Sequence, residues 1–202
     1  MGFHALRVIN EDRVQPGRGF AAHSHRDMEI VSYVLDGALE HRDSRGNHSV
    51  VRPGDMQLMR AGTGVTHSEY NHSPEDVVHF LQIWILPDRT GLAPAYGQRH
   101  FPVAARTDAW KLVASRHGRG DSLQIQQDVD IYTAVLSVGA KIVHALAPDR
   151  LAWVQVLRGN ATLNAIAICE GDGAAVDEEF RLEVASEGGA EMLLFDLAGD
   201  AR

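Results

Sequence analysis

Residues 17–37 read GRGFAAHSHRDMEIVSYVLDG, and the fold class follows from how that stretch divides. Its second half contains residues 30–35 (IVSYVL), a β-branched and aromatic run closed by the turn signal Asp36-Gly37. Its first half carries His23-Ser24-His25. On a strand, alternate side chains share a face, so these two imidazoles point the same way. The same pattern recurs along the chain. Residues 77–86 (VVHFLQIWIL), 131–138 (IYTAVLSV), 152–157 (AWVQVL) and 191–197 (EMLLFDL) are further strand-like runs. Between the runs fall Arg45-Gly46-Asn47, Pro53-Gly54-Asp55, Arg158-Gly159-Asn160 and Gly171-Asp172-Gly173, all turn signals. Many short strands at this spacing predict an all-β chain of barrels or sandwiches rather than α/β. Residues 108–115 (DAWKLVAS) form the one short segment with a helical pattern. Residues 87–102 (PDRTGLAPAYGQRHFP) read as a long connecting loop.

Composition narrows the chemistry. The chain has 202 residues, 45% hydrophobic and 23% charged, which excludes disordered, collagen-like and disulfide-scaffold classes. It holds 11 histidines against one cysteine, Cys169. Thiolate zinc sites, iron–sulfur clusters and internal disulfides need two or more cysteines, so any metal must be held by imidazole and carboxylate. All the histidines but His117 and His144 fall in the first 100 residues.

Charge is uneven as well. Residues 1–120 carry 14 basic and 13 acidic side chains, residues 121–202 only 5 against 14. An acidic second half with no Lys/Arg run disfavours direct nucleic-acid binding. The first 20 residues lack a cationic start followed by an apolar stretch, and no apolar run approaches membrane-spanning length. A cytoplasmic protein with no membrane association is expected.

His67-Ser68-Glu69 repeats the spacing of His23-Ser24-His25 with a carboxylate as second member. With the two strands across a barrel from one another, three imidazoles and a carboxylate face a common point. That donor set suits iron, nickel, copper, manganese or zinc and leaves positions open for substrate. Glu29, four residues after His25, competes for the carboxylate place. His41 and His48 flank the Gly46 turn and read as solvated, and His72, His79, His100 and His117 as surface or loop residues. The tryptophans Trp84, Trp110 and Trp153 sit in or beside apolar runs and read as packing. Cys169 reads as a small buried hydrophobe or an edge residue. A faint repeat also appears: Val34-Leu35-Asp36-Gly37 matches Val156-Leu157-Arg158-Gly159, and each is followed by a Gly-Asp turn, a hint of two related barrels.

Gly17, His23-x-His25, Glu29 and Gly37 together resemble the first motif of the cupin superfamily. Gly62-x-Gly64, His67 and Asn71 resemble the second, with glycine at 62 where proline is usual. Longer stretches are similar to the pirin family of bicupins: residues 23–29 (HSHRDME), 37–43 (GALEHRD), 52–55 (RPGD), 61–69 (AGTGVTHSE), 81–87 (LQIWILP) and 193–197 (LLFDL). The likeness covers nearly the whole chain. It implies a metal-binding N-terminal cupin barrel over 1–100, without the strand-forming stretch that usually precedes it in the family. A degenerate C-terminal barrel without metal over 101–202 would follow, with the short helical segment between them. Counting back from Gly159, the places equivalent to His23 and His25 are Ala145 and Ala147.

The resemblance further implies His23, His25, His67 and Glu69 as ligands of one divalent transition metal. Iron(II) is the expected ion, with nickel, copper, manganese, zinc and cobalt as alternatives. Glu69 would also be the catalytic base. The implied activity is that of a quercetin 2,3-dioxygenase, cleaving a flavonol or similar enolic aromatic with O2, in a monomer or weak dimer. Two other classes compete: a metal-dependent, redox-responsive regulator that binds a protein partner, and a non-redox cupin hydrolase or isomerase.

Overall fold

The structure is a computed structural model, and it describes residues 2–199. In chain order the strands are β1 (Leu6–Val14), β2 (Gly19–His25), β3 (Glu29–Asp36), β4 (Leu39–Asp43), β5 (His48–Val51), β6 (Asp55–Arg60), β7 (Val65–Asn71), β8 (Val78–Ile85) and β9 (Ala95–His100). They continue as β10 (Lys111–Ser115), β11 (Leu123–Gln124), β12 (Val129–Leu136), β13 (Ala140–Ala145), β14 (Arg150–Leu163), β15 (Ile166–Cys169), β16 (Gly173–Val176), β17 (Arg181–Ser186) and β18 (Ala190–Ala198). Helix among the described residues is limited to 3-10 turns at Val103–Ala105 and Arg119–Asp121. No helix there is long and apolar enough to cross a membrane.

The chain forms two compact units, Met1–Phe101 with Leu123–Gln127, and Pro102–Ser122 with Asp128–Arg202. The first is built from two antiparallel sheets, β1-β8-β3-β6-β9 and β2-β7-β4-β5. Their inner faces meet in two apolar clusters, Val34, Leu39, Val51, Val78 and Phe80 at one place and Ile30, Met59 and Val65 at another. Side chains of this size are worth about 1.5–3 kcal/mol each when fully buried, so these eight can carry a few costly polar groups between the sheets. In the second unit β10-β12-β18-β14-β17-β13 run side by side, and β15 and β16 also pair with β14. Leu136, Val154, Val156, Leu182, Val184, Met192 and Leu194 lie in its core.

The faint repeat has a physical basis. β3 breaks register against β8 between Val34 and Asp36, and β14 breaks register against β18 between Val156 and Arg158. Each bulge is followed by a left-handed glycine, Gly37 at φ +74° and Gly159 at φ +73°. A Cβ there would stand 2.7 Å from Val77 O or 2.3 Å from Gly189 O, so only glycine fits. The two units use the same bulge-and-glycine bend, but with different outcomes. β3 ends at Asp36, just before its glycine, whereas β14 runs on through the expected turn at Arg158-Gly159-Asn160 and pairs with β15 and β17.

Two other expectations need correcting. Residues 108–115 do not form a helix: Lys111–Ser115 is β10, paired with β12 through Lys111↔Thr133 and Leu112↔Tyr132. Asp108 cannot cap a helix because it sits at φ +51°, with its carboxylate taking the backbone N–H of Ser137 at 2.7 Å. About two turns of helix gain too few hydrogen bonds to outweigh the strand pairing that buries Val113 and Ala114. The connecting loop 87–102 likewise contains a strand, β9, registered on β6 from Asp55↔His100 to Arg60↔Ala95. Its prolines lie outside the paired residues, which is why the segment looked loop-like.

Candidate metal centre

β7 alternates cleanly. Val65, His67, Glu69 and Asn71 are buried while Thr66 and Tyr70 face outward. Both of its neighbours bring polar groups to the same inner face. β2 sets His23 opposite His67, and β4 sets Asp43 opposite His67 and His41 opposite Glu69. The predicted pair of strands is therefore adjacent rather than across the barrel. A bulge in β2 between Phe20 and His23 adjusts the register that brings His23 onto His67.

The ring centroids of His23, His25 and His67 lie 4.4 to 4.9 Å apart. One ligand nitrogen from each falls within 4.8 Å of the others. His23 Nδ1 must carry its proton, because it donates to the carbonyl of Ala21 at 2.8 Å, which leaves Nε2 with a lone pair. The Nε2 atoms of His25 and His67 are buried and make no hydrogen bond. Such atoms are rare in folded proteins and costly unless something else satisfies them. Burial, then the neighbouring His23, His41 and His25, pushes the His67 imidazole down to about 3. Burial and His23 also lower His25. At neutral pH these rings are uncharged, the form that binds metal.

Glu69 is buried and reaches the opposite sheet. Its Oε2 accepts from Gln82 Nε2 on β8 at 2.5 Å, and its Oε1 from Ser32 Oγ on β3 at 3.4 Å. Burial raises its carboxyl to about 7, against the pull of those two donors. The Trp84 indole N–H donates to Gln82 Oε1 at 3.0 Å, which turns the amide nitrogen of Gln82 toward Glu69. The same Trp84 ring packs edge-on to His25, with centroids 5.1 Å apart. Glu69 groups with His67 and His41, ligand atoms within 4.8 Å, and shares with the other histidines only His67.

Glu29 lies in neither group. It is fully buried on β3 and paired with Arg60, Nε to Oε1 2.8 Å. Burial raises its carboxyl while Arg60 opposes the rise. Glu29→Gln is expected to leave metal content unchanged and to cost about 2 kcal/mol of stability through the weakened bond to Arg60. Elemental analysis and chemical denaturation check the two halves separately.

Sequence reasoning missed His41, which is wholly buried rather than solvated. A signal existed: His41-x-Asp43 has the same i, i+2 spacing as His23-x-His25 and His67-x-Glu69. His79 is also buried, not a surface residue, and bonds Glu11 at 2.7 Å across β1 and β8. His48, His72, His100 and His117 are exposed, as is Cys169. Asp43 lines a cavity of about 260 Å³ together with Arg45, Asn47, Val65, Pro94, Ala95 and Tyr96.

Comparison with known proteins places this arrangement. The family model described as Pirin matches residues 1–85, and one described as quercetinase C-terminal cupin domain matches residues 112–197. The quercetin 2,3-dioxygenase of Escherichia coli K12 is 44% identical over 98% of this chain and 84% of its own length. This chain belongs to the pirin family. A pirin-like protein of Caulobacter vibrioides is 37% identical over 98% of the chain and 85% of its own length. The crystal structure of the E. coli pirin YhhW in complex with nickel(II) superposes with a TM-score of 0.93 at 44% identity, over 98% of this pirin and 85% of that chain. Both units are thus cupin-type, and the all-β fold class read from the strands holds.

Proposed function

We propose that this chain is a metal-dependent dioxygenase of the quercetin 2,3-dioxygenase type, acting on a flavonol or a similar enolic aromatic with O2. The observation that carries it is the cluster of His23, His25 and His67, one ligand nitrogen from each within 4.8 Å of the others, with the Nε2 atoms of His25 and His67 buried and unpartnered and the buried carboxylate of Glu69 beside His67. His23, His25 and His67 would hold one divalent transition ion, with Glu69 as fourth ligand. Iron(II) is assigned first, as an ion that suits imidazole and carboxylate donors and reacts with dioxygen. Nickel, copper, manganese, zinc and cobalt fit the same donors. When bound, the ion supplies Lewis acidity and open coordination positions.

The protein's own part is to place and tune. Ala21 O fixes the His23 tautomer. Gln82 and Ser32 hold Glu69 within the barrel, and its carboxyl near 7 is poised to take the proton of an enolic hydroxyl at neutral pH. In this reading residues 1–100 are the catalytic half and residues 101–202 support it. The test is oxygen uptake with quercetin after loading with each metal in turn, alongside detection of carbon monoxide. Uptake with carbon monoxide release is expected for at least one redox-active ion. No uptake with any ion overturns the dioxygenase, and activity with zinc alone would point to hydrolysis or isomerisation.

A further inference from the structure

We infer that His41, anchored by Asp43, is a positioning residue that fixes the tautomer and ring angle of His67; this rests on the metal reading just proposed. The chain of hydrogen bonds has only one consistent direction. Asp43 Oδ2 can only accept from His41 Nε2, at 3.3 Å, so the His41 proton sits on Nε2. A neutral His41 then has a lone pair on Nδ1. That atom faces His67 Nδ1 at 3.5 Å, so the His67 proton must lie on Nδ1. His67 Nε2 is left as a lone pair, and like His25 Nε2 it is buried and unpartnered. The relay therefore presets the one nitrogen of His67 that a metal could use.

Both ends of the relay are held firmly. Asp43 accepts the backbone N–H of Arg45 at 2.9 Å and of Asn47 at 3.0 Å, and the Asn47 side-chain amide at 2.8 Å. This ties His41 to the β4–β5 turn. The other face of the imidazole stacks on Tyr96, with centroids 5.2 Å apart and planes 29° apart. The Tyr96 hydroxyl is itself held by Ser49, by Gln57 at 2.8 Å and by Gln98 at 3.1 Å. A fully buried imidazole with one nitrogen on a carboxylate and the other on a neighbouring ring has no freedom to choose its tautomer. Partners of this kind orient metal-ligating histidines and typically affect affinity 10–100-fold.

The alternative use of the same atoms is a second ion between His41, His67 and Glu69, whose ligand atoms also lie within 4.8 Å of one another. The Asp43–His41 bond argues against it. It already directs His41 Nδ1 at His67, and Glu69 is occupied by Gln82 and Ser32.

Nitrogen NMR of the metal-free chain reads the tautomer directly. His67 is expected protonated on Nδ1 in the native chain and mixed in His41→Phe, which keeps the stack on Tyr96 but offers no acceptor. Competition titration with Ni(II) is expected to give affinity about 10–100-fold weaker in His41→Phe. His41→Asn, whose carbonyl oxygen can take the place of Nδ1, should recover most of that loss. Should His41→Phe fold poorly, Asp43→Asn supplies the same test with a smaller drop. A His67 protonated on Nε2 in the native chain, unaltered affinity in His41→Phe, or two ions bound per chain would each overturn the inference. A native chain that binds no ion sinks the metal reading instead, and the tautomer measurement then decides the relay by itself.

Discussion

His67→Gln is expected to lower affinity for the first-row divalent ions by more than about 100-fold and to remove oxygen uptake with quercetin. The figure follows from position. Loss of a residue that merely orients a ligand costs 10–100-fold, and loss of a ligand must exceed that. His67 is also the one side chain common to both clusters, paired with His23 on one flank and with Asp43 on the other. The metal-free fold should barely notice. His67 makes one hydrogen bond, the 3.5 Å contact to His41, and its Nε2 makes none. At neutral pH, unfolding of the metal-free variant is therefore expected within about 1.5 kcal/mol of the native chain. His72→Gln, at an exposed position, serves as the control and should retain full metal content. Metal analysis after dialysis, with denaturant unfolding of the same samples, reads both effects. Equal metal content in His67→Gln removes it from the ligand set.

How far the sequence reached depends on what kind of interaction sets each feature. Strands such as β3 and β8 were visible because both are buried along nearly their whole length, which demands an unbroken apolar run. The His-x-His and His-x-Glu pairs were visible because period-two spacing alone places two side chains on one face. Which strands would be neighbours was not visible. Adjacency of β2, β7 and β4 is a tertiary fact, and it makes His41 part of the cluster. Without that pairing, His41-Arg42-Asp43 beside a glycine turn looks like any solvated hairpin. Lys111–Ser115 failed for the same reason: a five-residue segment has no local preference strong enough to resist pairing with β12. Gln82, Ser32 and Trp84 were out of reach because they meet Glu69 and His25 from the other sheet.

Glu69→Gln is expected to cut oxygen uptake at saturating metal by about 10²- to 10⁴-fold, the usual worth of a positioned general base. Metal affinity should also fall, since an ionised carboxylate is lost from the donor set. Unaltered affinity would remove Glu69 as a ligand, and unaltered turnover would remove it as the base. A separate signature is expected in the metal-free protein. Burial raises the Glu69 carboxyl from its ordinary 4.5 to about 7, so between those values the folded chain holds a proton that the unfolded chain has released. Stability from this group is complete below pH 4.5 and is lost as pH rises through 7, by about 3 kcal/mol in all. His67 works in the opposite direction. Its imidazole is depressed from 6.5 to about 3, so the unfolded chain binds the extra proton and stability is lost as pH falls below 6.5. In the native chain the two slopes oppose one another between pH 4.5 and 6.5. Each single variant should unmask the partner. Glu69→Gln becomes more acid-labile than the native chain, and His67→Gln gains stability relative to it as the pH is lowered across the same window. Denaturant midpoints of the three metal-free proteins at pH 4.5, 5.5, 6.5 and 7.5 decide the matter. Parallel curves would mean that neither group is held away from its ordinary range, and with that the carboxyl tuned to exchange a proton near neutral pH and the uncharged His67 imidazole on which the proposed chemistry depends would be gone.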